Sequence, residues 1–178
     1  MNTYIALFRG INVGGHNSLP MNGLKEILIS LGCENVRTYI QSGNAVFRSS
    51  IADPEQLSAT VSAAILGHYG FEPMVLLMRQ SEFAEAVEHN PFPTDRGNRL
   101  HLFFLDEEPG QPDLQGLEEL KTDTESFLLH GAVFYLYAPD GIGRSKLAAK
   151  AERYLGVTTT ARNWNTVAKL MEMIQKRS

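Results

Sequence analysis

One cysteine, one tryptophan and no long apolar run are what this 178-residue chain has least of, and each shortage excludes something. A lone cysteine, Cys33, cannot close an intrachain disulfide, which suits a reducing compartment and an expected cytoplasmic location. No stretch approaches the roughly 20 apolar residues of a membrane span, and the first residues show neither the basic region nor the cleavage site of a signal peptide. A membrane partner is therefore not expected. Basic excess is missing too: 16 Lys and Arg stand against 20 Asp and Glu, a net charge of -4. That balance argues against a general nucleic-acid binder, while leaving room for a local basic pocket. The sequence also lacks HExxH, paired CxxC, His-x-His and G-x-S-x-G patterns, so no metal is expected and no catalytic group declares itself. Cys33 reads as a small buried hydrophobe. His16 is the one histidine in a candidate site, whereas His68, His89, His101 and His130 fall at element ends or turns and read as structural.

What is present is a regular alternation of strand and helix signals. Thr3–Phe8 predicts a first strand. Leu24, Ile27, Leu28 and Leu31 at i, i+3, i+4, i+7 predict a helix stopped by Gly32. Asn35–Gln41 and Ala45–Arg48 predict a hairpin around Ser42-Gly43-Asn44. A second helix opens with Asp53 as N-cap, Pro54 at its first position and Gln56 completing a capping box, and Pro73–Met78 predicts a fourth strand. The order is β-α-β-β-α-β, a ferredoxin-like arrangement. The second half repeats the pattern: strand Leu100–Leu105, helix Leu114–Leu120, hairpin Glu125–Leu129 and Ala132–Tyr137, helix Ser145–Leu155 and strand Val157–Ala161. The expected fold is α+β, with two tandem ferredoxin-like lobes at 1–79 and 99–161. A helix (Ser81–Glu88) and loop at 80–98 join them, and a C-terminal helix over 162–178 opens on Asn163 as N-cap.

Four motifs carry the chemistry. The first is Arg9-Gly10-Ile11-Asn12-Val13-Gly14-Gly15-His16-Asn17, where the first strand gives way to the first helix. Glycines there let backbone N–H groups approach a ligand, and Arg9 and Asn12 can bind an anion or amide; the plainer reading is a tight turn with a surface arginine. The spacing satisfies no nucleotide fingerprint. The second motif is Arg37 to Asn44. Strand alternation puts Arg37, Tyr39 and Gln41 on one face, able to stack on and hydrogen-bond a planar or anionic group, or simply to form the wet face of a half-buried sheet. Third, Gly141-Ile142-Gly143-Arg144-Ser145-Lys146 places cations in the first turn of a helix, where they oppose the macrodipole by roughly 0.3–1 kcal/mol each unless an anion is bound. Fourth, Arg162-Asn163-Trp164-Asn165-Thr166 puts an arginine and the only tryptophan at another helix start; Trp164 can be a stacking platform or a core residue.

R-G-I-N-V-G-G at 9–15, P-M-N-G-L at 20–24, V-R-T-Y-I-Q-S-G-N at 36–44, G-R-S-K-L at 143–147 and R-N-W-N-T-V-x-K-L at 162–170 resemble the bacterial family named domain of unknown function 1697. The resemblance implies a cytoplasmic protein of two ferredoxin-like lobes and supplies no activity. It picks out Arg9, Asn12, Gly14, Gly15, Gln41, Ser42, Asn44, Arg144, Lys146, Arg162, Asn163 and Trp164. Its usual residue at position 16 is lysine, so His16 implies a charge that depends on pH.

With His16, Arg37 and Tyr39 added, these residues form the expected ligand site, and the leading expectation is a small anionic or phosphorylated ligand in a cleft lined by Arg-bearing turns. The alternatives are single-stranded RNA binding through the sheets and a protein–protein interaction module with no small ligand. The Ala45-Val46-Phe47-Arg48 strand lacks the aromatic pattern of an RNA-recognition sheet. Cofactor, oligomeric state and the existence of any reaction are left open by the sequence.

Overall fold

The computed structural model describes residues 1–176; the last two positions of the expected 162–178 helix lie outside the described residues. The chain is α+β, with two four-stranded antiparallel sheets and, among the described residues, six α-helices. Strand β1 (Asn2–Arg9) leads to helix α1 (Met21–Ser30), the hairpin β2 (Glu34–Tyr39) and β3 (Asn44–Ser49), helix α2 (Pro54–Tyr69) and strand β4 (Met74–Arg79). Helix α3 (Gln80–Glu88) follows without a loop. Then come β5 (Leu100–Leu105), α4 (Leu114–Leu120), the hairpin β6 (Ser126–His130) and β7 (Val133–Tyr137), a 3-10 turn at Ile142–Arg144, α5 (Lys146–Leu155), β8 (Thr159–Asn163) and α6 (Trp164–Gln175). The sheets are ordered β2-β3-β1-β4 and β6-β7-β5-β8, the same pattern twice. Two compact units result: Met1–Glu85 with residues 169–176, and Ala86–Ala168.

Local chemistry explains the boundaries. Asp53 caps α2 by accepting from the Glu55 N–H at 3.0 Å, and Pro54 occupies the first turn, where its missing N–H costs nothing. In the first unit Tyr4, Ala6, Phe8, Ala45, Phe47, Val75 and Leu77 form one buried cluster with Leu24, Ile27 and Leu28 of α1 and Leu57, Val61 and Ile65 of α2. Burial of each such large apolar side chain contributes about 1.5–3 kcal/mol. Cys33 belongs to this cluster at 5% exposure, and burial pushes its thiol pKa up, as befits an inert small hydrophobe. In the second unit Phe103, Leu105, Phe134 and Leu136 pack with Leu117 of α4 and Leu147, Ala151 and Leu155 of α5.

Three sequence expectations are corrected here. The opposite face of the first sheet is not wet: Ile5, Leu7 and Val46, which share the face of Arg37, are exposed by 1% or less. The second sheet repeats this with Leu102, Phe104 and Tyr135, at most 2% exposed. Continuous apolar runs such as Tyr4–Phe8 are the signature of strands buried on both faces. Second, Gln41 does not share a face with Arg37 and Tyr39. β2 ends at Tyr39, Ile40 turns into the left-handed region (φ 49°), and Gln41 lies exposed in the hairpin turn. Third, the last strand is Thr159–Asn163 rather than Val157–Ala161, so Asn163 both ends β8 and caps α6 by accepting from Thr166 N–H at 3.1 Å.

His101, on β5, carries a buried Nδ1 with no hydrogen-bond partner among the described residues, and burial lowers its pKa. A histidine that is harder to protonate folded than unfolded binds fewer protons in the native state. Its contribution is therefore fully present above the unfolded value of about 6.5 and is lost as pH falls from there toward the folded value. Urea midpoints measured at pH 7.5 and 5.5 should fall with acidification, and His101→Phe should remove part of that fall. An identical fall in the variant would assign it to other groups.

Candidate functional site

The opening loop is a small finger stapled at its base. Val13 and His16 form an isolated bridge, closed by His16 N–H donating to Val13 O at 3.0 Å, and Gly14 and Gly15 take φ of 59° and 77°. Two successive positive φ values define the tight hairpin turn that glycine favours. From Val13 to Ser18 the finger is exposed, while Ile11 and Leu19 on either side are buried. Asn12 holds its base: Nδ2 donates to Leu19 O (2.9 Å) and Gln41 O (2.8 Å), and Oδ1 accepts from Leu19 N–H (2.7 Å). Asn17 Nδ2 donates to Gly10 O at 2.9 Å. The hairpin turn is fastened to the same base, since Phe8 N–H donates to Gly43 O at 2.9 Å. Fully buried Asn44 donates to Tyr39 O (2.9 Å) and Ser42 Oγ (3.2 Å). The first two sequence motifs thus meet through Asn12 and Gly43, with the asparagine amides spent on backbone groups. Arg9 and His16 are exposed at this edge of the unit.

Arg37 lies elsewhere. A bulge between Glu34 and Arg37, with Asn35 at φ 52°, sets Arg37 opposite Val46 in the ladder. There it lines a cleft of about 430 Å³ with Thr3, Asn35, Arg48, Gln80, Ile174 and Lys176. No carboxylate is among the described residues that line it. The three cations are not equivalent. Lys176 Nζ pairs with Glu172, and Arg48 stands across the ladder from Glu34. Arg37 Nη1 donates to Lys176 O at 3.3 Å, while its Nε is buried with no hydrogen-bond partner among the described residues. A buried donor left unsatisfied costs about 1–3 kcal/mol, which an acceptor in the cleft would recover.

In the second unit Arg144 and Lys146 are exposed around Ser145, the N-cap of α5. Ser145 Oγ accepts from Ala148 N–H at 3.0 Å and donates to the carboxylate of Glu125, which is 4% exposed and also accepts from Thr122 N–H at 2.9 Å. The chain thus supplies its own anion beside the start of α5, which eases the macrodipole conflict raised by Arg144 and Lys146. Arg162, on β8, donates from Nη1 to Ala161 O at 2.9 Å, and burial pushes its pKa down to about 10. Asn163 is spent on its cap. Trp164 N–H donates to Gly97 O at 3.0 Å, and its ring is half-buried.

Within the first unit, then, the structure brings Asn12, Gln41, Ser42 and Asn44 together at the finger base and places Arg37 in the cleft. Sequence reading missed Arg48, Asn35, Thr3, Gln80 and Lys176. Alternation along β3 from Val46 would have found Arg48; the bulge at Asn35 and the end of α6 left no sequence signal.

The chain belongs to the family described as protein of unknown function (DUF1697), whose model matches residues 1–135. It is similar over its whole length to a solved structure, a conserved bacterial protein from Streptococcus pneumoniae. The two share 27% identity with a TM-score of 0.73, covering 98% of this chain and 99% of that one. No curated protein matches. Among the described residues no helix is long and apolar enough to cross a membrane.

Proposed function

We propose that this protein binds a small anionic, phosphate- or carboxylate-bearing ligand, and that the Arg37 cleft of the first unit is its anion subsite. The observation that carries the reading is the buried Nε of Arg37, which among the described residues has no hydrogen-bond partner and lies in a cleft lined by no carboxylate, within a chain that is acidic overall. A guanidinium presents a rigid fork matched to phosphate or carboxylate oxygens. The cleft volume of about 430 Å³ lies in the range of small-molecule sites. In the same reading each unit is a ferredoxin-like lobe, supported by the β-α-β-β-α-β order and the repeated strand order, and the protein is bacterial, like its solved relative, and acts in the cytoplasm. Arg9 and His16 in the first unit, and Arg144, Lys146, Arg162 and Trp164 in the second, remain proposed contacts, each within its own unit and outside the Arg37 cleft. RNA binding through the sheets is the weaker reading, because the sheet faces that would stack bases are filled by buried Ile5, Leu7, Leu102 and Phe104.

The test is a thermal-shift and calorimetric titration with inorganic phosphate, sugar phosphates, nucleotides and dicarboxylates. Saturable stabilisation by at least one of them is expected, and Arg37→Ala should weaken it about tenfold or more, as expected for loss of a charge-assisted hydrogen bond. Stabilisation by none, or equal stabilisation of Arg37→Ala, would overturn the proposal.

A further inference from the structure

The Arg37 cleft does not end at its arginine. Two of the residues that line it, Thr3 and Gln80, also line a second cleft of about 410 Å³ with Asn2, Arg79, Ser81 and Ala84. The two clefts adjoin at Thr3 and Gln80, and every residue of both belongs to the first unit.

The ladder orders the groups along them. Arg37 stands opposite Val46 and Thr3 opposite Arg48, so strand alternation puts Arg37, Arg48 and Thr3 on one face of the sheet. Only β3 separates β2 from β1, which sets Arg37 and Thr3 about 10 Å apart across the strands. Beyond Thr3 the charge runs out. Arg79 pairs with Tyr4 in the ladder, on the opposite face, and its Nη2 donates to Ala52 O at 2.9 Å. The Glu82 carboxylate, in the same turn, is spent on the Arg79 N–H at 2.7 Å. The second cleft therefore offers neutral groups: the amides of Asn2 and Gln80 and the hydroxyls of Thr3 and Ser81. Neither cleft offers an aromatic ring. Phe47, which borders the first, is 1% exposed and packs with Tyr4 in the core on the other face.

We infer that the ligand is a phosphate monoester of a hydroxyl-rich, non-aromatic body, a sugar or polyol phosphate. Its phosphate sits at Arg37 and its hydroxyls meet Asn2, Thr3, Gln80 and Ser81. Hydroxyls both donate and accept, so they match side-chain amides and hydroxyls in either sense. A dicarboxylate would set its second charge among neutral groups, and a nucleotide would find no ring for its base to stack on. Inorganic phosphate fills the first cleft alone. The inference rests on the anion subsite at Arg37.

The experiment is calorimetry of the full chain at pH 7.5 with inorganic phosphate, glucose 6-phosphate, ribose 5-phosphate and AMP. At least one sugar phosphate is expected to bind about tenfold or more tightly than inorganic phosphate or AMP, as a few added hydrogen bonds would provide. An Asn2→Ala, Ser81→Ala double variant changes two exposed residues outside the Arg37 cleft. It should lose most of that advantage and keep its affinity for inorganic phosphate, whereas Arg37→Ala should weaken every anion. Sugar phosphates no tighter than inorganic phosphate, AMP the tightest of the four, or an advantage untouched in a double variant folded by circular dichroism would overturn the inference and leave the Arg37 subsite standing. Absence of any Arg37-dependent anion binding would overturn both.

Discussion

Gly43→Ala is expected to lower the melting temperature by about 6–12 °C. Gly43 sits at φ 87°, and a Cβ there would stand 2.5 Å from Ile11 Cδ1 and 2.7 Å from Phe8 Cβ. The isoleucine tip can swing, but Phe8 Cβ is rooted in β1, and the Phe8 N–H bond to Gly43 O holds the two segments together. Left-handed backbone costs a residue with a Cβ about 1–2 kcal/mol, and overpacking about 1–3 kcal/mol. A sum near 3 kcal/mol, at about 2–4 °C per kcal/mol for a chain of this size, yields the range. Gly32→Ala is the control: its φ is 81°, yet nothing lies within 4 Å of the added methyl. It should show the backbone cost alone. If Gly43→Ala were no worse than Gly32→Ala, the close approach of hairpin and finger would be disproved.

Asn12→Ala should be comparably destabilising, by about 3 kcal/mol in urea unfolding, and for a different reason. The change removes three hydrogen bonds at once and strands the backbone groups of buried Leu19. Each such bond contributes about 1 kcal/mol, and alanine at φ 53° adds backbone strain. Asn12→Gly relieves the strain and not the hydrogen bonds, so it should recover about 1 kcal/mol. Phosphate affinity at the Arg37 cleft should be unchanged in either variant under conditions where it stays folded. A variant as stable as the parent that had lost its ligand would instead make Asn12 a direct contact, as its place in the motif first suggested.

These two residues show where sequence reading stops. Gly43 and Asn12 are prominent in the sequence because each lies in a polar, glycine-rich turn, and such turns look alike whether they hold a ligand or another turn. Only the ladder register, which sets Phe8 beside Gly43, tells that these two hold each other. The third motif has the same history: Arg144 and Lys146 at a helix start called for an anion, and the chain answers with Glu125 from twenty residues before. The Arg37 cleft was half legible. Arg37 stands out in the sequence, but its neighbours come from β1, β3, α3 and the end of α6, so no local spacing announces them.

By itself the sequence determined the class of fold, because its evidence is local. Leu24, Ile27, Leu28 and Leu31 share a helix face through 3.6-residue periodicity, Asp53-Pro54 starts a helix through its own side chains, and the element order follows by reading along the chain. The motifs likewise sufficed to recognise the family. Tertiary structure alone decided which polar side chains are spent on the fold and which are left for a partner. That choice depends on burial and on partners distant in sequence, as with the amide of Asn12 and the Nε of Arg37. Residues that bond to their own neighbourhood can be read from a string; residues that bond across the fold cannot.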